Sequence, residues 1–210
     1  MGVLATKHKG EIQRLYASGM IMREISERFG VSLDAVVYFM RRHNIARRTW
    51  SEMNSVRFSR KASSFSIKKV EAKKGTEARA ILAMLYWGEG FKGSEARPAH
   101  TVDFANSDPS MISVYLSVLR VLYKLDERKL RILLYCYADQ NIHSLKRFWS
   151  KLTSIPLSQF TKPYIRSDFN SKGRKMPYGL VHIRYGDKKL LLELKNLIHS
   201  YKVRYHAPVV

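Results

Sequence analysis

One carboxylate in this chain stands out by its neighbours. Glu89 lies between Gly88 and Gly90, closing the run Leu82-Ala83-Met84-Leu85-Tyr86-Trp87-Gly88-Glu89-Gly90. Apolar spacing before it predicts a helix from about Thr76 to Trp87. An acid just past a helix C-terminus meets the negative end of the helix dipole. That placement makes sense where a metal cation or a nearby Lys or Arg offsets the charge. Other reactive constellations are missing. The seven histidines, at positions 8, 43, 100, 143, 182, 199 and 206, include no pair with zinc-site spacing. The single cysteine, Cys136, excludes an intramolecular disulfide and a multi-cysteine metal site. Its apolar surroundings predict a buried, unreactive thiol. Asp139-Gln140-Asn141 reads as a helix cap, and no Gly-rich phosphate loop or nucleophile elbow occurs.

The other chemistry on offer is positive charge. The chain has 210 residues, with 38 Lys and Arg against 17 Asp and Glu, a formal charge of +21. Hydrophobic residues make up 45%, enough for a buried core, so disorder throughout is excluded. Nucleic acid is the commonest partner of such a surface, because phosphate contacts release counterions. An anionic membrane surface competes, but no long basic amphipathic helix supports it. No apolar stretch reaches the ~18 residues of a membrane span, and the first residues lack the apolar core of a signal peptide. The expectation is a soluble intracellular protein, in cytoplasm or nucleoid.

These groups need elements to hold them. Residues 1–48 are expected to form three helices. The first carries Ile12, Leu15 and Tyr16, with Gly19 as its stop; the second runs Met22–Phe29. Gly30 and Val31 turn into a third helix capped by Ser32 and ending near His43. Residues 49–76 read as a basic, serine-containing linker. Residues 77–210 mix helices and strands. Strands are expected at Thr101–Ala105, Leu130–Tyr137, Phe160–Arg166 and Leu180–Tyr185. Helices are expected at Pro109–Tyr123, Ile142–Leu152 and Lys188–Tyr201, the first capped by Asp108 with proline in its opening turn.

The stretch MREISERFGVSLDAVVYFMRR resembles the helix-turn-helix family, over about residues 9–46. Ile25, Phe29, Val31, Val36 and Phe39 fall on the apolar positions. Ser26 stands where the helices cross, in place of the usual alanine, and Gly30 permits the turn. The resemblance implies that the third helix enters the major groove of DNA. Ser32, Leu33, Asp34, Val37, Tyr38 and Arg41 would then face base edges, Tyr38 and Arg41 foremost. Arg42, Arg47 and Arg48 would touch phosphates. A helical pair serving protein contact is the alternative.

The nine residues ending in Gly90 resemble the LAGLIDADG motif of homing endonucleases, with Glu89 on its last acidic position. Thr101–Pro109, a strand running into a capped helix, fits the same family, and the resemblance covers about residues 77–202. It implies an αββαββα domain within an α+β chain. A short strand near Phe91–Ser94 would complete the first strand pair, and residues 141–166 would be an insertion. In that family two motif helices pack together and their acids hold divalent metal. One motif in this chain therefore implies a homodimer through Ala83, Tyr86, Trp87 and Gly88. Met84 and Trp87 are bulkier than the family's usual residues there.

Glu89, with the Gly88 carbonyl, would bind Mg²⁺ or Mn²⁺ for hydrolysis of DNA phosphodiesters. Arg97, His100, Lys162, Arg166, His182, Arg184 and the loop residues Lys172, Arg174 and Lys175 would meet double-stranded DNA. The expectation is a sequence-specific DNA-binding protein that cleaves its site. The alternative is a non-cleaving transcriptional regulator on the same fold, which would not need the acid.

Overall fold

A left-handed glycine sets the geometry of the first sixty residues. The computed structural model describes residues 4–167 and 176–205. Gly30, at φ +62°, ends α2 (Met22–Phe29) and turns the chain into α3 (Leu33–Arg42). A residue with a Cβ adopts that conformation only at a cost. The Ser32 hydroxyl then accepts from the Ala35 N–H at 3.1 Å, filling one unsatisfied donor of the new helix. Together with α1 (Lys9–Ala17), these helices bury Ile12, Tyr16, Ile25, Val36, Phe39 and Met40 in one small core. Val36, Phe39 and Met40 follow the i, i+3, i+4 spacing that puts side chains on one helix face. Ser26 is buried between the helices, its hydroxyl satisfied by the Arg23 carbonyl at 2.7 Å.

The stretch 49–76, expected as a linker, holds regular elements. Thr49 and Glu52 form a reciprocal cap that starts α4 (Trp50–Arg60). At its far end Arg60 bonds Glu24 at 2.7 Å and the Gly19 carbonyl at 2.6 Å, tying α4 to the first three helices. The chain divides into two compact units, Met1–Ala62 and Ser63–Val210. A serine- and arginine-rich composition concealed a capped helix whose residues are nowhere fully buried.

The second unit is a sheet covered on one face by helices. Its main sheet has the order β2–β6–β4–β5, from β2 (Val102–Asn106), β4 (Leu130–Tyr137), β5 (Tyr164–Arg166) and β6 (Leu180–Tyr185). β6 pairs antiparallel with both β2 and β4, while β5 runs parallel to β4. Alternation along β4 and β6 buries Leu130, Ile132, Leu134, Cys136, Val181, Ile183 and Tyr185. Against that face pack α5 (Ala72–Glu89), α6 (Pro109–Leu122) and α8 (Lys188–Tyr205), with α7 (Ile142–Thr153) beside α6. Phe104 stacks on Tyr115 at 3.9 Å, and both are fully buried. Asp108 caps α6 and Asn141 caps α7, so the capping reading of the segment around Asn141 holds. Burial pushes the Cys136 thiol up, in keeping with an inert core cysteine.

A second, two-stranded sheet pairs β1 (Phe65–Ile67) with β3 (Tyr123–Leu125). Ser64 anchors its start, donating to Asp187 through both N–H and hydroxyl. Residues 63–76 thus belong to the second unit. Two further strand expectations are corrected. Phe91–Ser94 forms no strand; only Gly90 bridges Phe104. Of Phe160–Arg166 only the last three residues form a strand; Phe160 makes an isolated bridge to Ile132, and Pro163, with no N–H for a ladder, stands between the two. The chain is α+β, as expected. Among the described residues no helix is long and apolar enough to cross a membrane.

Candidate nucleic-acid interface

In the first unit the outward face of α3 carries the expected residues. Leu33, Asp34, Tyr38, Arg41 and Arg42 are exposed, and Val37 is half-buried. The Arg41 guanidinium lies 5.8 Å from the Tyr38 ring centroid, within reach of a cation–π contact. Ser32 is exposed, but its oxygen already caps the helix. Arg47 is exposed as well. Arg48, expected at phosphate, is engaged within its own unit instead. It folds back over the Tyr16 ring at 4.0 Å and donates to the carbonyls of Met20 and Tyr16. Its fork closes the chain just after α1, a structural task that a composition-based reading of basic residues does not distinguish.

In the second unit the sheet face opposite the helices is open among the described residues, and its side chains form rungs across the strands. One rung is Asp103, Arg184 and Arg131; the next is Ala105, His182 and Leu133. Then come Leu180, Tyr135 and Tyr164, and last Tyr137 and Arg166. Asp103 is the buried acid of this face, 8% exposed. Its Oδ1 bonds His182 Nδ1 and its Oδ2 accepts from Arg184 Nε, each at 2.8 Å. Burial opposes its ionisation. The hydrogen bond and charge of His182, with Arg184, outweigh burial and hold the carboxyl below its ordinary range. Tyr135 packs against His182 at 5.0 Å and Tyr164 at 4.9 Å, so an aromatic strip continues from the charged rung. Arg131 donates to the carbonyls of Arg128 and Leu130.

Of the other expected contacts, Arg97 is exposed and lies over the Phe91 ring at 5.7 Å. The Phe91 N–H donates to the Asp103 carbonyl at 2.8 Å, which ties this segment to the outer edge of β2. His100 is exposed just before β2, and Lys162 and Arg166 are exposed at and before β5. Lys172, Arg174 and Lys175 lie outside the described residues.

Glu89 is the last residue of α5 and is exposed. The turn after it is forced by space: a Cβ on Gly90 would sit 2.4 Å from the Tyr86 ring. The Tyr86 hydroxyl donates to the Phe91 carbonyl at 3.1 Å and lies 3.4 Å from the Asp103 N–H. Burial pushes the Tyr86 phenol up to about 12, so it stays a neutral donor. Lys92 donates to the Trp87 carbonyl at 2.7 Å. Burial lowers its pKa; the charge of Glu89 works the other way and Lys202 adds to the lowering.

Two expected interface residues are corrected by burial. Ala83 and Tyr86 are 1% and 0% exposed and face this chain's own core. The exposed strip of α5 is Met84, Trp87 and Gly88, with the Lys202 amine 4.7 Å from the Trp87 ring centroid.

Sequence reasoning missed Asp103, Arg131, Tyr135, Tyr164, Lys92 and Lys202. Period-two alternation in Val102-Asp103-Phe104 and along Leu130–Tyr137 carried a signal for the strand residues. Nothing in the sequence placed Lys202 beside Trp87, more than a hundred residues away. Comparisons with protein-family models, with curated proteins and with solved structures give no match to this chain.

Proposed function

We propose that this chain is a sequence-specific double-stranded DNA-binding protein built as a LAGLIDADG-type homing endonuclease with an N-terminal helix-turn-helix. The observation that carries the reading is the open sheet face. It offers Arg184, His182 and Arg166 beside a strip of tyrosines, in a chain of charge +21. Such a face suits a polyanion with readable edges better than an acidic protein surface, because aromatic and forked donors add directional contacts to charge. The exposed face of α3 gives a second DNA-contacting surface, read in the major groove.

Glu89 supports the catalytic part of the reading. An exposed carboxylate and the carbonyls of the last helical turn are oxygen donors, which suit Mg²⁺ or Mn²⁺. Two copies of the chain would bring two such acids together, and the apolar strip Met84, Trp87, Gly88 is the surface for that contact. The bound metal supplies Lewis-acid stabilisation of phosphate oxygens and an activated water. This chain's own residues bind the duplex, hold the scissile step at the end of α5, and place the Lys92 ammonium near it.

The second reading is a non-cleaving regulator on the same fold, and Lys92 favours it. Its amine, held on the Trp87 carbonyl at 2.7 Å, feels the charge of Glu89 and supplies a cation of the chain's own in that neighbourhood.

Selection of bound and cleaved sites from a random duplex library with Mg²⁺ separates the readings. The nuclease reading expects wild type to cut its selected site. Glu89→Gln should lower cleavage by about a hundredfold or more while duplex affinity holds or rises. A wild-type protein that leaves its own site uncut in both Mg²⁺ and Mn²⁺ is a regulator. A protein that ignores duplex DNA at low salt and takes structured RNA overturns the DNA reading altogether.

A further inference from the structure

An acid buried on a surface meant for a polyanion needs a reason. Asp103 repels phosphate and loses hydration where it sits, 8% exposed on the open face. What it gains is two fixed donors, His182 Nδ1 and Arg184 Nε, both at 2.8 Å. A guanidinium has five N–H groups in a rigid plane. Only the Nε–H of Arg184 is used, and among the described residues its two terminal nitrogens have no protein partner. The side chain remains 38% exposed. The arginine is therefore held by its root, with its terminal fork presented outward from β6, the strand flanked by β2 and β4.

We propose that Arg184 is a specificity-determining residue that reads the O6/N7 edge of a guanine in the major groove, with Asp103 as its positioning residue. The inference rests on the duplex-DNA reading above and names what that face recognises. Electrostatics select a base over a phosphate as the target. The carboxylate offsets part of the arginine's charge, so its non-directional pull on phosphate is weakened. The directional donors survive the pairing, and two parallel donors match the two acceptors of guanine. Arg131, on the same rung, has one terminal nitrogen held by the carbonyls of Arg128 and Leu130, so among the described residues Arg184 is the arginine of this rung with both terminal nitrogens uncommitted.

The test uses the full chain and the duplex it selects. Each guanine of that site is replaced in turn by 7-deazaguanine, which keeps pairing and O6 but lacks the N7 acceptor. Wild type should lose about tenfold affinity at one guanine per half-site. Arg184→Ala should bind the modified and unmodified duplexes alike, since it keeps no donor. Asp103→Asn should flatten the guanine preference while affinity for random-sequence duplex holds or rises, because a negative charge has gone. A merely structural role would not raise that background binding. If Asp103→Asn fails to fold by circular dichroism, Arg184→Ala decides the matter alone. Silence of 7-deazaguanine at every position overturns the proposal, as does an Arg184→Ala variant weakened equally on all sequences. Failure of wild type to bind any duplex refutes the underlying DNA reading instead.

Discussion

The two units hold their outward cations in opposite ways. On α3, Arg41 rests against the exposed ring of Tyr38, and no carboxylate pairs with it among the described residues. On the open sheet face, Arg184 is gripped by a buried acid that also grips His182. The difference follows from the scaffolds. A helix face is convex, so its long side chains splay into solvent and are ordered only by what they meet. A sheet brings neighbouring strands within ~5 Å, so side chains on one rung can fix each other in advance. The helix surface can adapt, whereas the sheet surface is prepared before its partner arrives. Preparation saves ordering entropy on binding, at the cost of a buried charge in the free protein.

The contrast predicts a large, clean separation of specificity from stability on α3. Tyr38 and Arg41 replaced together by alanine should cost up to about 3 kcal/mol of discrimination between selected and random duplex. Thermal stability should change by less than about 0.5 kcal/mol, because neither side chain supports the fold. Competition binding and a thermal melt on the same sample check both halves. A marked loss of stability would show that the α3 surface is buttressed like the sheet, and the comparison would fail.

On the sheet the two quantities should move together. Asp103→Asn removes the charge that holds two donors and should cost about 2 kcal/mol of stability at neutral pH. The sign of its pH dependence is fixed by the direction of the shift. The folded carboxyl lies below its ordinary value, so its stabilisation is complete above that value, 3.8, and fades as pH falls further. The gap between wild type and Asp103→Asn should therefore be present above the ordinary carboxylate value and shrink as pH falls below it. Urea melts across that range measure it. A gap that stays constant or widens as pH falls below 3.8 would mean that Asp103 is not held as an anion.

The same contrast explains what the sequence made legible. Local signals survived: the Gly30 turn, the caps at Ser32, Asp108 and Asn141, and the strands Leu130–Tyr137 and Leu180–Tyr185 all lie where residue patterns put them. Each depends on residues within a turn or two of chain. The α4 helix escaped because Trp50 is exposed, Met53, Val56 and Phe58 are only half-buried, and together they give no clear stripe. Arg48 was legible as a cation but not as a brace, since its acceptors lie some thirty residues upstream. Asp103 was hidden for a similar reason: its partners come from β6, about eighty residues later. Charge counting finds a surface, but not which of its charges are already spoken for.

The smallest expected effect bears on the exposed strip of α5, where the contrast between the units reaches the question of assembly. α3 presents Tyr38 and Arg41, groups suited to a nucleic acid; α5 presents Met84, Trp87 and Gly88, which suit a protein surface. Gly88 is helical, and a Cβ added there would meet nothing within 4 Å in its own chain. In an isolated chain Gly88→Ala should thus stabilise the helix, by up to about 1 kcal/mol, since glycine leaves the unfolded state more freedom to lose. A second copy packed closely against that position changes the outcome, because the added methyl then stands in the path of the partner's backbone. The homodimer reading expects both results in one protein: a higher melting temperature at low concentration and a weaker dimer by analytical ultracentrifugation, with DNA present. Stabilisation with dimer affinity unchanged would mean that no partner helix approaches Gly88, and that the apolar strip of α5 serves something other than a second copy.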